Sequence, residues 1–188
     1  LVYASCWIKC HHPAEFLAAM LNSQPLGFYS ASQLVQDAKR HGVEVRRVDV
    51  MSSEWDCTLE GLPHPPAVRL GLRLVAGLKA ESALRILKAR RERPFDGAED
   101  LARRAEIEQH EMTLLAAADA LMSLAGHRRQ QVWEAAGQRS APQLLKQAPV
   151  NEEELELPAA PEGEEVVWDY AATGLTLRRH PLAILRPV

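Results

Sequence analysis

Residues 72–90, "LRLVAGLKAESALRILKAR", constrain the fold more than any other stretch of this sequence. The pattern predicts a short apolar helix, the turn Gly77-Leu78-Lys79, and then a second helix. Gly77 can adopt φ > 0, which a tight turn between two helices requires. We expect Leu78 to point inward and hold the two helices together, with Ala83 on the inner face of the second one. The segment therefore predicts a compact helical hairpin.

This hairpin resembles the helix-hairpin-helix motif. In that motif the free backbone N–H groups at the start of the second helix point outward and bind a phosphate. Lys79 stands where the motif usually has its second glycine, and it adds a cation. The resemblance implies binding to the backbone of duplex DNA that is independent of base sequence and sensitive to salt. An ordinary helical hairpin is the alternative. The candidate DNA-binding residues are Gly77, Leu78, Lys79, Ala80, Arg85 and Lys88.

A second, degenerate copy of this layout follows. "DLARRA" leads through the turn Ala105-Glu106-Ile107 into the helix "EQHEMTLLAAADAL". The copy lacks the glycine, and Glu106 and Glu108 place negative charge where a phosphate would bind. We therefore expect a structural role for it, as half of a pseudo-twofold four-helix unit. A basic cluster then follows, which consists of His127, Arg128 and Arg129. We expect it to be a solvated helix start, and auxiliary phosphate contact is the alternative.

Charge is unevenly distributed along the chain. The formal net charge is −3, yet residues 69–104 contain ten Lys/Arg against five Asp/Glu, and residues 151–169 contain eight Asp/Glu and no Lys/Arg. The basic segment is a candidate surface for a polyanion, with a solvated helix face as the alternative. Apolar runs fall far short of the ~20 residues of a membrane helix, no secretory signal is visible, and three cysteines form no disulfide pattern. These features favour a cytoplasmic protein without a membrane partner.

The predicted fold class is mainly α with a few short β-strands, a tandem helix-hairpin-helix domain following a helical segment. Residues 1–22 read as two helices that meet at Pro13, and Ser30 or Ser32 can cap a third. The three predicted strands are "VEVRRVDV", "WDCTLE" and "AVRLGL". In the helix after the first turn, Ala80, Ala83, Leu84 and Leu87 are expected to share one face. Since the sequence begins with Leu1 in a helical pattern, we expect it to be a fragment of a larger protein.

Taken together, the segments resemble the bacterial C-family DNA polymerases, and specifically their error-prone, ImuC-type branch. The stretches that carry this resemblance are "LVYASCWIKCHHPAEFLAAMLNSQP", "GFYSASQLVQDAKRHGVEVRRVDV", "SSEWDCTLE" and "DYAATGLTLRRHPLAILRP". Arg47 and Met51 depart from residues that the family usually has. The resemblance implies four parts: residues 1–66 as the C-terminal part of the fingers domain, 67–136 as the tandem helix-hairpin-helix domain, 137–163 as a flexible acidic linker, and 164–188 as the lead-in to an OB domain. The residues that match the fingers helix are Tyr3, Trp7, Lys9, His11, Pro13, Ala14, Glu15 and Phe16.

The resemblance implies a role in damage-induced, error-prone DNA synthesis. The family transfers nucleotides with two Mg²⁺ ions held by palm-domain aspartates, and no carboxylate here matches them. The implied fragment therefore binds duplex DNA, holds no cofactor itself and does not catalyse, while Tyr3 and Lys9 are possible fingers contacts. The resemblance implies other mutasome proteins as partners and, through them, the sliding clamp. "PQLLKQ" is not a clean clamp-binding motif, which fits recruitment to the clamp through partners. The alternative function is a helical protein–protein interaction module of a repair or replication factor.

A cluster of metal-ligand residue types lies near the N-terminus. Cys6 and Cys10 are followed by His11 and His12, and thiolate and imidazole are ligands that zinc prefers. No second ligand pair follows at a zinc-like spacing, and Cys57 stands alone on a predicted strand. In the resembling family the two cysteine positions usually hold small residues, which implies that both cysteines are small buried hydrophobes. We therefore predict no metal site here.

Overall fold

The structure, a computed structural model, describes residues 1–61, 65–137 and 157–186. Helices dominate these residues, and a small three-stranded sheet falls between the third and fourth helices along the chain. The predicted fold class, mainly α with a few short strands, is confirmed. The helices are α1 (Val2–His11), α2 (Pro13–Asn22), α3 (Ala31–Arg40), α4 (Ala80–Glu92), α5 (Ala98–Arg104), α6 (Gln109–Ala117), α7 (Met122–Ala125), α8 (Arg128–Gly137), α9 (Glu162–Thr173) and α10 (Pro181–Leu185).

Local sequence signals place the first three helices. Pro13 is the first residue of α2, where its missing N–H removes no intrahelical bond, so the chain breaks between α1 and α2 as predicted. Ser30 caps α3: its Oγ accepts the N–H of Gln33, whose side chain accepts the N–H of Ser30 in return. Of the two predicted caps, Ser30 is thus the one used.

The sheet has the strand order β1-β3-β2, with β1 at Val45–Arg46, β2 at Thr58–Glu60 and β3 at Ala67–Arg69. β1 pairs parallel to β3, and β2 pairs antiparallel to it. All three predicted strands exist, but each is shorter than its alternating pattern. After β1 the chain leaves the sheet, and Val50 N–H donates to the Ala120 carbonyl (2.9 Å) near the later helices.

The predicted helix from Glu108 to Leu121 is interrupted, because α6 ends at Ala117 and the chain turns before α7 begins. At the break, Asp119 adopts a left-handed conformation (φ 58°) and is 6% exposed. Its carboxylate accepts from Gln131 Nε2 at 2.7 Å and from Arg47 Nη1 at 3.0 Å. These distant partners outweigh the local helical pattern, which contains no glycine or proline at this point.

One cluster of buried apolar side chains extends from α2 and α3 through the sheet into α4–α6 and α9. Its members include Leu21, Val68, Ile86, Leu101 and Leu115, which are all fully buried. The sheet crosses the boundary predicted between residues 66 and 67, because β3 pairs with both earlier strands. The α1–α3 region and the hairpin region therefore share a core.

The prediction that Cys6 and Cys10 are buried is wrong. Both cysteines are exposed, as is every residue of α1.

The four residues expected to share one face of α4 are not all buried. Leu84 is 59% exposed and Ala80 is exposed as well. α4 instead turns a neighbouring stripe toward the core, which consists of Ser82, Ala83, Ile86, Leu87 and Ala89.

The predicted acidic linker lies largely outside the described residues, as does "PQLLKQ". Where the chain is described again, from Leu157, it forms α9 as early as Glu162, so the last two residues of the predicted linker are helical. None of the described helices is long and apolar enough to cross a membrane.

Candidate nucleic-acid interface

The first hairpin forms where the sequence predicts it. A single 3₁₀ turn at Leu72–Leu74 precedes the hairpin turn, in place of a longer helix. Gly77 has a φ of 82°, and Leu78 N–H donates to the Val75 carbonyl at 3.2 Å. Leu78 is 7% exposed, which confirms that it points inward. An added Cβ at Gly77 would lie 3.3 Å from Leu114 Cδ1, so the turn is also packed closely against α6.

The start of α4 is open to solvent. Lys79 is its N-cap residue, and no side chain caps it. The first hydrogen bond of the helix runs from Ala83 N–H to the Lys79 carbonyl (3.2 Å), so the preceding N–H groups of Ala80, Glu81 and Ser82 have no intrahelical acceptor. These N–H groups and the helix dipole favour an anion at this end. The negative charge of Glu81, which is exposed in the same turn, partly opposes the binding of an anion.

Most cations of the basic segment are already paired. Eight of its ten Lys and Arg residues have a carboxylate within 4.0 Å, whereas Lys79 and Lys88 have none among the residues that the structure describes. Both lysines are exposed and lie on α4 or its cap. The positive charge available for a ligand is therefore concentrated on these two side chains. The paired residues are Arg69, Arg73, Arg85, Arg90, Arg91, Arg93, Arg103 and Arg104.

Arg85, a predicted DNA-binding residue, makes several bonds within the protein. Its Nε donates to the Ala105 carbonyl (3.0 Å) and its Nη2 to the Glu106 carbonyl (3.2 Å), both in the second turn. Nη2 also lies 3.3 Å from Glu111 Oε2. Arg85 therefore connects α4 to the second hairpin.

The second turn resembles the first in its positive φ and in its buried apolar residue, although it lacks the glycine. Glu106 has a φ of 51°, and Ile107 is 7% exposed, as Leu78 is in the first turn. At the start of α6, however, Glu108 and Glu111 form a capping box. This helix start is capped by its own carboxylates, whereas the start of α4 has no side-chain cap and carries Lys79 at its N-cap position.

Glu111 holds a charge at the junction of the two hairpins. Burial raises the pKa of this carboxyl, but bonds from Ser82 Oγ and Glu108 N–H, with the charges of Arg85 and Lys79, outweigh burial and lower its pKa below the usual value. Glu111 is therefore ionised at neutral pH. Sequence reasoning missed this residue, because its partners come from a separate helix.

The two possible fingers contacts differ in their surroundings. Tyr3 is 82% exposed on α1. Lys9 forms an ion pair with Asp37 of α3 at 2.7 Å, and this hydrogen bond raises the pKa of Lys9 and lowers that of Asp37. Lys9 therefore links α1 to α3 through an ion pair that is exposed to solvent.

The basic cluster at the start of α8 is not a solvated helix start. Arg128 is 3% exposed and pairs with Glu165 (3.0 Å) and Asp169 of α9, while Arg129 pairs with Glu164 (2.8 Å). The cluster therefore docks α9 against α8, and Arg128 is not available for a phosphate. The matching charges of "HRR" and "EGEE" were the only sequence signal for this contact.

Comparison with known proteins agrees with this geometry. Residues 42–131 match the family described as "Helix-hairpin-helix motif". The chain is also similar to proteins named error-prone DNA polymerase. That of Azoarcus sp. is 54% identical over 192 residues, which cover 99% of this chain and 18% of that protein. That of Methylococcus capsulatus is 50% identical over 205 residues (99% and 20%), and that of Pseudomonas syringae pv. syringae is 49% identical over 191 residues (99% and 18%). The chain thus spans about a fifth of the length of the curated relatives it matches.

Proposed function

We propose that the chain is a segment of an error-prone DNA polymerase of the bacterial C-family, ImuC-type, and that this segment binds the backbone of duplex DNA. Similarity to proteins of that name extends over 99% of the chain, which supports the first part. The open start of α4 supports the second: its N–H groups are free of intrahelical acceptors, and the two unpaired lysines of the basic segment lie beside it or along the helix.

The roles of the proposed site follow from the turn. Gly77 supplies the left-handed backbone of the turn and lets the turn pack against α6, Leu78 anchors the turn in the core, and the amide of Ala80 would donate to a phosphate. Lys79 and Lys88 would each neutralise a phosphate. α5 and α6 would be the second, structural half of a tandem helix-hairpin-helix unit.

Catalysis is assigned to the rest of the whole polymerase. Nucleotidyl transfer of this class uses carboxylate-bound Mg²⁺. The described residues contain no group of three His, Cys, Asp or Glu residues placed to hold a metal ion. They therefore do not fit that ion. Mutasome proteins and the sliding clamp remain proposed partners of the whole protein, and the cytoplasm its proposed location.

The test is a salt titration of duplex binding by fluorescence anisotropy. Wild-type affinity should fall steeply with salt, and Lys79→Gln and Lys88→Gln should each reduce the slope of log K against log salt by about 1. Arg40→Gln is the matched control, because Arg40 is an exposed cation at the far end of α3 and should leave the slope unchanged. A flat salt dependence would refute backbone binding. An absence of binding at low salt would favour the protein–protein interaction module.

A further inference from the structure

The second hairpin places a negative charge beside the start of α4. Ser82, the third residue of α4, is 1% exposed, and its Oγ donates to Glu111. Glu111 is close enough to Lys79 for the two charges to interact. The carboxylate therefore lies beside the helix end that the proposed function assigns to a phosphate. A fixed carboxylate at that position opposes a second anion.

Arg85 offsets this charge from inside the protein. Its bonds to the Ala105 and Glu106 carbonyls hold the guanidinium at the second turn, where Nη2 meets Glu111 Oε2. The Arg85 side chain is 39% exposed and that of Glu111 is 13% exposed, so solvent screens their mutual attraction only in part. Because the charges of Arg85 and Glu111 are opposite and close together, their combined effect on an anion at the start of α4 is small.

We propose that Glu111 and Arg85 form an affinity-setting pair, in which Glu111 weakens phosphate binding at α4 and Arg85 acts as its counter-ion rather than as a DNA contact. The inference rests on the proposed function. It predicts that loss of the Glu111 charge raises duplex affinity and that loss of the Arg85 charge lowers it. A pair that only stabilised the fold would instead lose affinity from either change.

Duplex affinity at low salt, measured on the whole chain, tests the pair. A unit charge about 8 Å from a phosphate, at an effective dielectric constant between about 40 and 60, changes affinity about three- to sixfold. Glu111→Gln should therefore tighten binding by that factor, and Arg85→Gln should weaken it by a similar factor. The double variant, which removes both charges, should return to within about twofold of wild type.

Two further measurements separate charge from structure. Arg85→Lys keeps the cation but loses the forked bonds to the second turn, so it should lower the urea midpoint while leaving duplex affinity within about twofold of wild type. The salt slope of Arg85→Gln should equal that of wild type, whereas loss of a direct phosphate contact would reduce it by about 1.

Some results would overturn the inference. Unchanged or weaker binding by Glu111→Gln would remove its affinity-setting role, and a reduced salt slope in Arg85→Gln would make Arg85 a DNA contact. Either result, together with salt-dependent binding by wild type, leaves the proposed function intact. If wild type does not bind duplex DNA, both proposals fail.

Discussion

Replacing Arg128 with methionine tests whether a buried ion cluster holds α9 against α8. Arg128 is 3% exposed, and its guanidinium donates to the Glu165 backbone carbonyl (2.9 Å), pairs with the Glu165 carboxylate (3.0 Å) and meets Asp169. Methionine replaces the unbranched apolar part of the arginine side chain but lacks the guanidinium. The substitution therefore removes the charge and leaves two acidic groups, which are 9% and 14% exposed, without their main partner.

The expected loss follows from these contacts. Removing one member of a buried ion pair costs about 3–5 kcal/mol. Arg178 reaches the same two carboxylates, at 2.8 Å to Glu165 and 3.5 Å to Asp169, and retains part of the interaction. The loss in unfolding free energy should therefore lie near the lower end of that range, at about 3 kcal/mol.

Arg129→Met is the matched control, because Arg129 is the next residue of the same helix and also pairs with α9. The side chains of Arg129 and Glu164, which are 2.8 Å apart, are 39% and 40% exposed. Loss of this pair should therefore lower the free energy of unfolding by less than about 1 kcal/mol. Urea unfolding of both variants, followed by far-UV circular dichroism, gives the two free energies. If Arg128→Met is destabilising by no more than Arg129→Met, the reasoning about burial is refuted.

Two further predictions concern the first turn and the sheet. Gly77→Ala should lower the free energy of unfolding by about 1–2 kcal/mol, because alanine is strained in the left-handed conformation, and it should also lower duplex affinity. Gly42→Ala is the control: Gly42 has a φ of 83° and no atom within 4 Å of an added Cβ, so this change should carry the backbone cost alone. Equal duplex affinities of the two variants would contradict the role of the first turn. Glu60 accepts bonds from Arg69 (2.8 Å) and Arg46 (2.7 Å), which lower its pKa from 4.5, so its pairs stabilise the fold above about pH 4.5 and the contribution is lost as pH falls through the lowered pKa. The urea midpoint should fall less on acidification in Glu60→Gln than in wild type, and parallel pH curves would count against this account.

Features with local causes could be predicted from the sequence. Pro13 breaks a helix, Ser30 caps one, and Gly77 supplies the positive φ of the first turn, because each acts through its own backbone or its near neighbours. The buried position of Leu78 followed from the same short pattern. The second turn was also located correctly, although Glu106 rather than glycine adopts its left-handed conformation.

Features that depend on distant partners could not be predicted. Asp119 interrupts a good helical pattern because Arg47 and Gln131 reach its carboxylate from other elements. The charge of the basic segment suggested a broad cationic surface, but Asp100 alone pairs with three arginines and most of the others are paired as well. The exposure of Cys6 and Cys10 depends on what packs against α1, which a helical repeat does not specify.

The sheet also joins the first hairpin to earlier parts of the chain through close backbone contacts. Val68 N–H of β3 donates to the Glu44 carbonyl (2.8 Å) just before β1, and Gly71, directly before the first hairpin, packs so closely on the backbone of Trp55 that a Cβ would not fit. No flexible linker separates β3 from the turn in this part of the chain. If DNA is held at Lys79, a tilt of the first hairpin would therefore be transmitted through the sheet to α2 and α3.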